Sequence, residues 1–188
     1  YGGMVIGQFF LNFSDPAEIT LFVLASVLVS LALLPIALSS RPAPEFEEPE
    51  KLSLRKLYKI SPFGLTGVFA VGFGTSVLFS IGAVYAAEIG MTLPQISTFM
   101  ALYILGGVAS QLPIGWLSDR YDRRIVIIGI STMSSLVAIV AWAVSDQPYL
   151  LNVTVFFLGT LTLPIYGLSM AYINDHLNPK QFVAASSS

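Results

Sequence analysis

The sequence predicts an all-α membrane protein, a polytopic bundle of transmembrane helices. Hydrophobic residues make up 55% of the 188 residues and charged residues 11%, with a mean hydropathy of +0.77, whereas soluble domains carry about 25% charged residues. About 20 apolar residues cross the hydrocarbon core as a helix, which satisfies its own backbone hydrogen bonds there. Five apolar stretches of 21 to 25 residues meet this requirement: 17–38, 63–87, 95–117, 124–144 and 149–172.

The composition also argues against several function classes. The net charge of −2 gives no basic field for nucleic acid, and the chain contains no cysteine for disulfides or thiolate metal sites. The single histidine, His176, follows Asp175 and is better explained as part of a helix end than as a catalytic pair. Because nucleophile, phosphate-loop and metal-binding motifs are missing from the sequence, we expect neither an enzyme nor a cofactor.

Both ends of the chain carry incomplete apolar segments. Residues 1–13 are apolar, uncharged and too short to span a bilayer, so we interpret them as the last part of a helix. Another apolar run begins at Phe182 and stops at three serines. We therefore expect the chain to be the middle of a longer protein.

The distribution of basic residues predicts the orientation. The loops 12–16, 88–94 and 145–148 contain no lysine or arginine. Short loops rich in lysine and arginine stay in the cytoplasm, so we expect the other loops to be cytoplasmic. Those loops hold all nine basic residues: Arg41, Lys51, Arg55, Lys56, Lys59, Arg120, Arg123, Arg124 and Lys180.

The longest loop, 39–62, changes character along its length. Residues 41–50 are acidic and rich in proline, as in an extended linker. Residues 51–60 mix leucines with basic residues, which suits a short amphipathic helix lying on anionic lipid headgroups. A plain basic flank of a membrane span would explain these basic residues equally well.

One loop carries a recognisable motif, residues 115–124. Gly115 would let two helices converge, and Asp119 would lie near the positive N-terminal end of a helix. Arg120, Arg123 and Arg124 can pair with carboxylates or headgroups. The string Gly115-Trp-Leu117-Ser-Asp119-Arg120-Tyr-Asp-Arg123-Arg124, in a six-residue loop between spans, closely resembles the signature G-x-L-x-D-R-x-G-R-R/K of the major facilitator superfamily (MFS) of transporters. An ordinary anchored loop is the alternative.

The resemblance implies a 12-helix fold made of two six-helix halves. Residues 1–38 would end the N-terminal bundle, with part of family helix 5 and all of helix 6. Residues 39–62 would link the halves, and residues 63–188 would form family helices 7 to 10 and the start of helix 11. Within the family the chain looks most like a bacterial YcaD-like group.

The signature implies a cytoplasmic latch that is made in one transport state and broken in the other. Asp122 departs from the family's second glycine, so the turn is expected to change and Asp122 to compete with Asp119 for the arginines.

A substrate pathway is implied near mid-membrane, where the family's helices 7 and 10 line the cavity. Phe69, Phe73, Ser76 and Ser80 recur at helical spacing on the first of these. On the second, Thr162 and Tyr166 flank Pro164, which can kink a helix; Gln111 is a further candidate, expected to be buried. The alternative is that these hydroxyl groups bond to their own helix or hold neighbouring helices together.

The resemblance implies secondary active transport of a small solute by alternating access, as a permease or exporter in the bacterial cytoplasmic (inner) membrane. The alternative is a non-transporting sensor or scaffold of the same fold.

Charged residues are missing from the middle of every predicted span, and Glu88 and Asp146 lie at the predicted outer ends. This distribution suits a neutral or amphipathic solute. If transport is coupled to protons, the titrating carboxylate would lie in the family's helices 1 to 5; otherwise the protein is an uncoupled facilitator. Membrane lipid is the other expected partner, and a monomer is favoured.

Overall fold

The structure is a computed structural model that describes residues 2–15, 18–38 and 53–177. Within these ranges the protein is helical and contains no β-strand. A single 3₁₀ turn, Phe10–Asn12, follows the first helix. The helices are α1 (Gly2–Phe9), α2 (Ile19–Ala37), α3 (Leu54–Ile60), α4 (Pro62–Glu88), α5 (Leu93–Arg120), α6 (Arg123–Ala143) and α7 (Pro148–Asn174).

Four of the five predicted spans are confirmed. Among the described residues, α4, α5, α6 and α7 are long and apolar enough to cross a membrane. The remaining span corresponds to α2, which has 19 residues and contains Pro35. At 1.5 Å per residue α2 is about 28 Å long, just short of the hydrocarbon thickness. That α2 crosses the membrane therefore stays a prediction.

The ends of the long helices follow from local sequence. Pro62 and Pro148 occupy the first positions of α4 and α7. A backbone N–H at the first position has no acceptor within the helix, so a proline there costs no helical hydrogen bond. At the start of α5 the backbone N–H of Thr92 donates to Gln95 Oε1 at 2.8 Å, one half of a capping box. After α4 the chain turns at Gly90 with a φ of +83°, a conformation that glycine adopts without a Cβ clash.

The core is organised around α7, which contributes to three apolar clusters. The first joins the C-terminal end of α4 to the N-terminal halves of α5 and α7, around Met100, Ile104 and Val155. The second joins α4, α6 and α7 around Val71 and Ile130. The third lies where α3, the start of α4 and the end of α7 meet: Leu57, Leu65, Ile173 and Leu177.

The closest helix crossing brings the backbones of α5 and α7 together. A Cβ added to Gly106 would overlap the carbonyl oxygen of Phe156, and one added to Gly159 would overlap that of Tyr103. Small residues at such crossings permit the close packing that stabilises helix pairs in lipid. This crossing fixes α7 against α5 in the middle of the bundle.

Some predicted segments fall outside the described residues. They are residues 39–52, with the whole acidic segment 41–50 and Lys51, and residues 178–188, with Lys180 and the predicted start of family helix 11. The short helix expected in 51–60 is present as α3, and its contact with lipid headgroups stays a prediction. The proposed division into two bundles also stays a prediction, although α1 packs against α5.

Candidate functional site

The motif at residues 115–124 connects two helices more tightly than the sequence predicted. α5 continues to Arg120 and α6 begins at Arg123, so two residues join them instead of the expected six-residue loop. The polar side chains Ser118 and Asp119 lie in the last turns of α5, because helical geometry continues past the apolar span. We call residues 115–124 the latch segment.

Arg123 holds three helix ends together in the latch segment. Its guanidinium lies 3.5 Å from Asp119 Oδ1 on α5 and 3.3 Å from Asp175 Oδ2 at the end of α7. Both carboxylates are well exposed, so each pair contributes at most about 1 kcal/mol. Contacts of this strength can form and break readily, as a reversible latch requires.

Asp122 takes the helix-capping role expected of Asp119. Its Oδ1 accepts a hydrogen bond of 2.8 Å from the backbone N–H of Arg124, which makes it the N-cap of α6. Asp119 instead lies in the last turn of α5 and faces Arg123. The expected competition for arginines is therefore resolved here: one aspartate caps the backbone and the other pairs with a guanidinium.

The other two arginines of the latch segment lie over aromatic rings. The guanidinium carbon of Arg120 is 4.1 Å from the ring centre of Trp116, and that of Arg124 is 5.2 Å from Phe63. The Phe63 ring meets Tyr172 edge-on. His176 lies on Tyr172, and its Nδ1 is 2.8 Å from the Tyr172 carbonyl. Its interpretation as part of a helix end is confirmed by these contacts.

The expected role of Gly115 at a convergence of two helices stays a prediction. A Cβ added there would meet no atom within 4 Å, so Gly115 does not mark a close helix contact among the described residues. It borders a cavity of about 420 Å³ between α5 and α7, which we call the groove. The groove runs from Asp119 and Arg123 to Gln111 and Tyr166.

Tyr166 also borders a second cavity of about 400 Å³, the central cavity. The pathway residue Tyr166 therefore borders both the central cavity and the groove, which is also lined by residues of the latch segment. The central cavity is otherwise lined by residues of α1, α4 and α7: Met4, Val71, Gly72, Thr75, Phe79 and Leu163.

Thr162 lies on a third, smaller cavity of about 200 Å³ between α4, α6 and α7, the side cavity. Tyr103 on α5 is 2% exposed, and its hydroxyl is 2.9 Å from Thr162 Oγ1. Thr162 also donates to the Leu158 carbonyl at 2.7 Å. Since the Thr162 hydrogen is used in that bond, Tyr103 is the donor to Thr162. This arrangement fixes the Thr162 side chain between α5 and α7.

The remaining predicted pathway residues lie apart from these. Phe69, Phe73, Ser76 and Ser80 are exposed on α4, Phe73 to 76%, and they border none of the three cavities. Gln111 is exposed, which corrects the expectation of a buried side chain, because its position on α5 faces the groove. A role for the α4 stripe in transport stays a prediction.

Sequence reasoning missed three residues at these sites. Asp175 follows the last predicted span, at the end of the bundle where the basic loops were predicted. An acidic residue at that end could have been recognised as a partner for the arginines. Thr75 precedes Ser76 in the sequence but lies about 100° away from it around the helix, on a different face of α4 from the predicted stripe. Tyr103 carried no signal, because its partner Thr162 is 59 residues away in the chain.

Comparisons with known proteins give consistent results. A family model described as Major Facilitator Superfamily matches residues 2–188. The uncharacterized MFS-type transporter YfkF of Bacillus subtilis (strain 168) is 28% identical over 130 residues, which cover 68% of this chain and 33% of that protein. An uncharacterized MFS-type transporter of Yersinia pestis (strain Pestoides F) is 24% identical over 186 residues, 98% of this chain and 48% of the relative.

The uncharacterized MFS-type transporter YcaD of Escherichia fergusonii is 21% identical over 189 residues, with 98% of this chain and 48% of that protein covered. The chain spans about half the length, or less, of these curated relatives. The comparison with solved structures found no match.

These bacterial relatives and the four apolar helices identify an integral multi-pass protein of the bacterial cytoplasmic membrane. The family model covers the latch segment, whose residues carried the resemblance, together with nearly all of the remaining chain. The chain therefore belongs to the Major Facilitator Superfamily.

Proposed function

We propose that the whole protein moves a small solute across the membrane by alternating access, as a secondary transporter. The observation that carries this proposal is the position of Tyr166, which borders both the central cavity and the groove that ends at Asp119 and Arg123. A side chain in this position can respond to a solute in the cavity and to rearrangement of the latch segment. The names of the bacterial relatives support transport as the activity.

The lining of the central cavity favours an uncharged solute. Among the described residues that border it, none carries a charged side chain, and most are apolar. An isolated ion would lose its hydration there without gaining a partner. Tyr166 and Thr75 supply hydroxyl groups that can orient a neutral or amphipathic molecule.

Flux through the full-length protein in proteoliposomes tests the proposal. A panel of neutral amphipathic fluorescent compounds is applied with and without a pH gradient, which also tests proton coupling. We expect Asp119→Asn to lower flux while insertion stays normal, because its pair with Arg123 is weakened. Asp146→Asn, at the opposite end of the bundle, is the matched control.

Two outcomes would contradict different parts of the proposal. Wild-type flux in Asp119→Asn would mean that the latch segment does not control transport. If no compound in the panel moves, while residues 39–62 capture a cytosolic partner, the sensor or scaffold alternative would be favoured.

A further inference from the structure

Thr75 lies where the central cavity and the side cavity meet. Thr75 and Val71 border both cavities, which lie on either side of the contact between α4 and α7. The side cavity also contains Thr162, and its α4 wall is made of small residues: Gly67, Ala70 and Gly74. Thr75 and Val71 therefore form a wall that the two cavities share.

The hydroxyl hydrogens of both threonines are already used. Thr75 Oγ1 donates to the Val71 carbonyl at 2.7 Å, with the Gly72 carbonyl at 3.1 Å. Thr162 donates to the Leu158 carbonyl and accepts from Tyr103. A hydroxyl has one hydrogen and two lone pairs that can accept hydrogen bonds. Because the hydrogen is used in each threonine, both side chains can only accept a hydrogen bond from a ligand. The two threonines border these cavities and can act there as hydrogen-bond acceptors.

The surroundings determine what kind of donor these acceptors would bind. None of the described residues that line the two cavities is charged. A carboxylate or phosphate would face hydroxyl lone pairs without a counter-charge, and an ammonium would lack an anionic partner. An O–H or N–H group on an apolar body can bond to Thr75 while its hydrocarbon contacts Val71, Leu163 and Ile165.

We propose that Thr75 is a specificity-determining residue that selects neutral amphiphiles carrying an O–H or N–H donor. Thr162, held in place by Tyr103, is the second acceptor at the same site. This inference rests on the proposed transport function and narrows its substrate class. Ethers and ketones of the same size have no donor and would form no hydrogen bond with Thr75.

Photoaffinity labelling of the full-length protein in nanodiscs tests the inference. The probes are a diazirine-bearing long-chain alkanol and its methyl ether, and mass spectrometry locates the labelled residues. We expect the alkanol to label α4 and α7 around Thr75 and Thr162 about threefold to tenfold more than the ether, the effect of one neutral hydrogen bond. This comparison uses the wild-type protein and needs no variant.

Variants then assign the preference to Thr75. Thr75→Val should reduce alkanol labelling to the level of the ether, and Thr75→Ser should retain it. Thr66→Val is the matched control, because Thr66 also lies on α4 and donates to a carbonyl of its own helix but borders neither cavity. Gly74→Leu should block labelling of the side cavity. Gly129→Leu is its control, since an added Cβ meets no atom within 4 Å at either glycine.

The inference is overturned by equal labelling with alkanol and ether, by absence of label on α4 and α7, or by unchanged labelling in Thr75→Val. Labelling requires no net movement of solute. A protein that fails the flux assay can therefore still pass this test. A failed labelling experiment, in turn, leaves the transport proposal to be decided by flux.

Discussion

The guanidinium of Arg123 lies 3.3 Å from the carboxylate of Asp175, which joins the first turn of α6 to the end of α7. The same guanidinium reaches Asp119 at the end of α5. One side chain thus links the ends of three helices that are long and apolar enough to span a membrane. Because the carboxylates are exposed, the strength of this link is limited by solvent and salt.

The Arg123–Asp175 pair should therefore have a small but measurable coupling energy. In a double-mutant cycle with Arg123→Gln and Asp175→Asn, we expect a coupling of about 0.5 kcal/mol at low salt, falling toward zero in 1 M salt. Thermal unfolding of the full-length protein in detergent measures it. The pair Arg123→Gln with Asp146→Asn is the control and should show no coupling. A salt-independent coupling of several kcal/mol would show that the pair is far less solvated than in this structure.

Replacements of Asp122 should separate its role as a helix cap from that of its charge. Asp122→Ala removes the acceptor for the Arg124 N–H and should lower the free energy of unfolding by about 1 kcal/mol. Asp122→Asn keeps an acceptor and should be nearly neutral, and Asp122→Gly should lose a few tenths of a kcal/mol. Chemical or thermal unfolding checks this order. If alanine were as stable as asparagine, the cap would contribute nothing.

The sequence located the connection between α5 and α6 and its family resemblance, but it did not predict the geometry of the latch segment. The loop position, the basic residues and the family resemblance all followed from residues 115–124. The exchange of roles between Asp119 and Asp122 did not, because it depends on α5 continuing for three residues beyond Leu117. Hydropathy marks where a helix leaves the lipid, and it does not mark where the helix ends.

The cavities could be predicted only in part, for a different physical reason. Tyr166 and Thr162 were found because they flank Pro164 on one helix. Thr75 and Tyr103 depend on how α4 and α5 rotate against α7. The rotation of α5 is set by the backbone contacts of Gly106 and Gly159 with the facing helix, and these contacts join positions 50 or more residues apart. No pattern within one span contains this information.

The α5–α7 crossing should tolerate no added side chain. Gly106→Ala and Gly159→Ala each place a Cβ against a backbone carbonyl of the facing helix, where no rotamer change can relieve the overlap. We expect each variant to lose about 1–3 kcal/mol or more and to yield little folded protein. Gly129→Ala, at a site with open space, is the control. Size-exclusion profiles and thermal unfolding of the full-length protein measure the effect. Wild-type behaviour of Gly159→Ala would mean that the two helices are farther apart.

The orientation can be tested with cysteines, because these 188 residues contain none. In a full-length protein with any other cysteines replaced by serine, Tyr121→Cys and Gln147→Cys place one thiol at each end of the bundle. Both positions are exposed and lie in short connections between helices. A membrane-impermeant maleimide should label Gln147→Cys in intact cells and Tyr121→Cys in inverted vesicles.

The physical reason is that all nine basic residues fall in the loops assigned to the cytoplasm. The contacts of Arg123 with Asp175 and of Arg124 with Phe63 place these loops at the same end of the bundle. Labelling of Tyr121→Cys in intact cells would reverse the orientation. The latch segment would then control the outer entrance of the pathway, and the flux experiments would need to be redesigned for the opposite face.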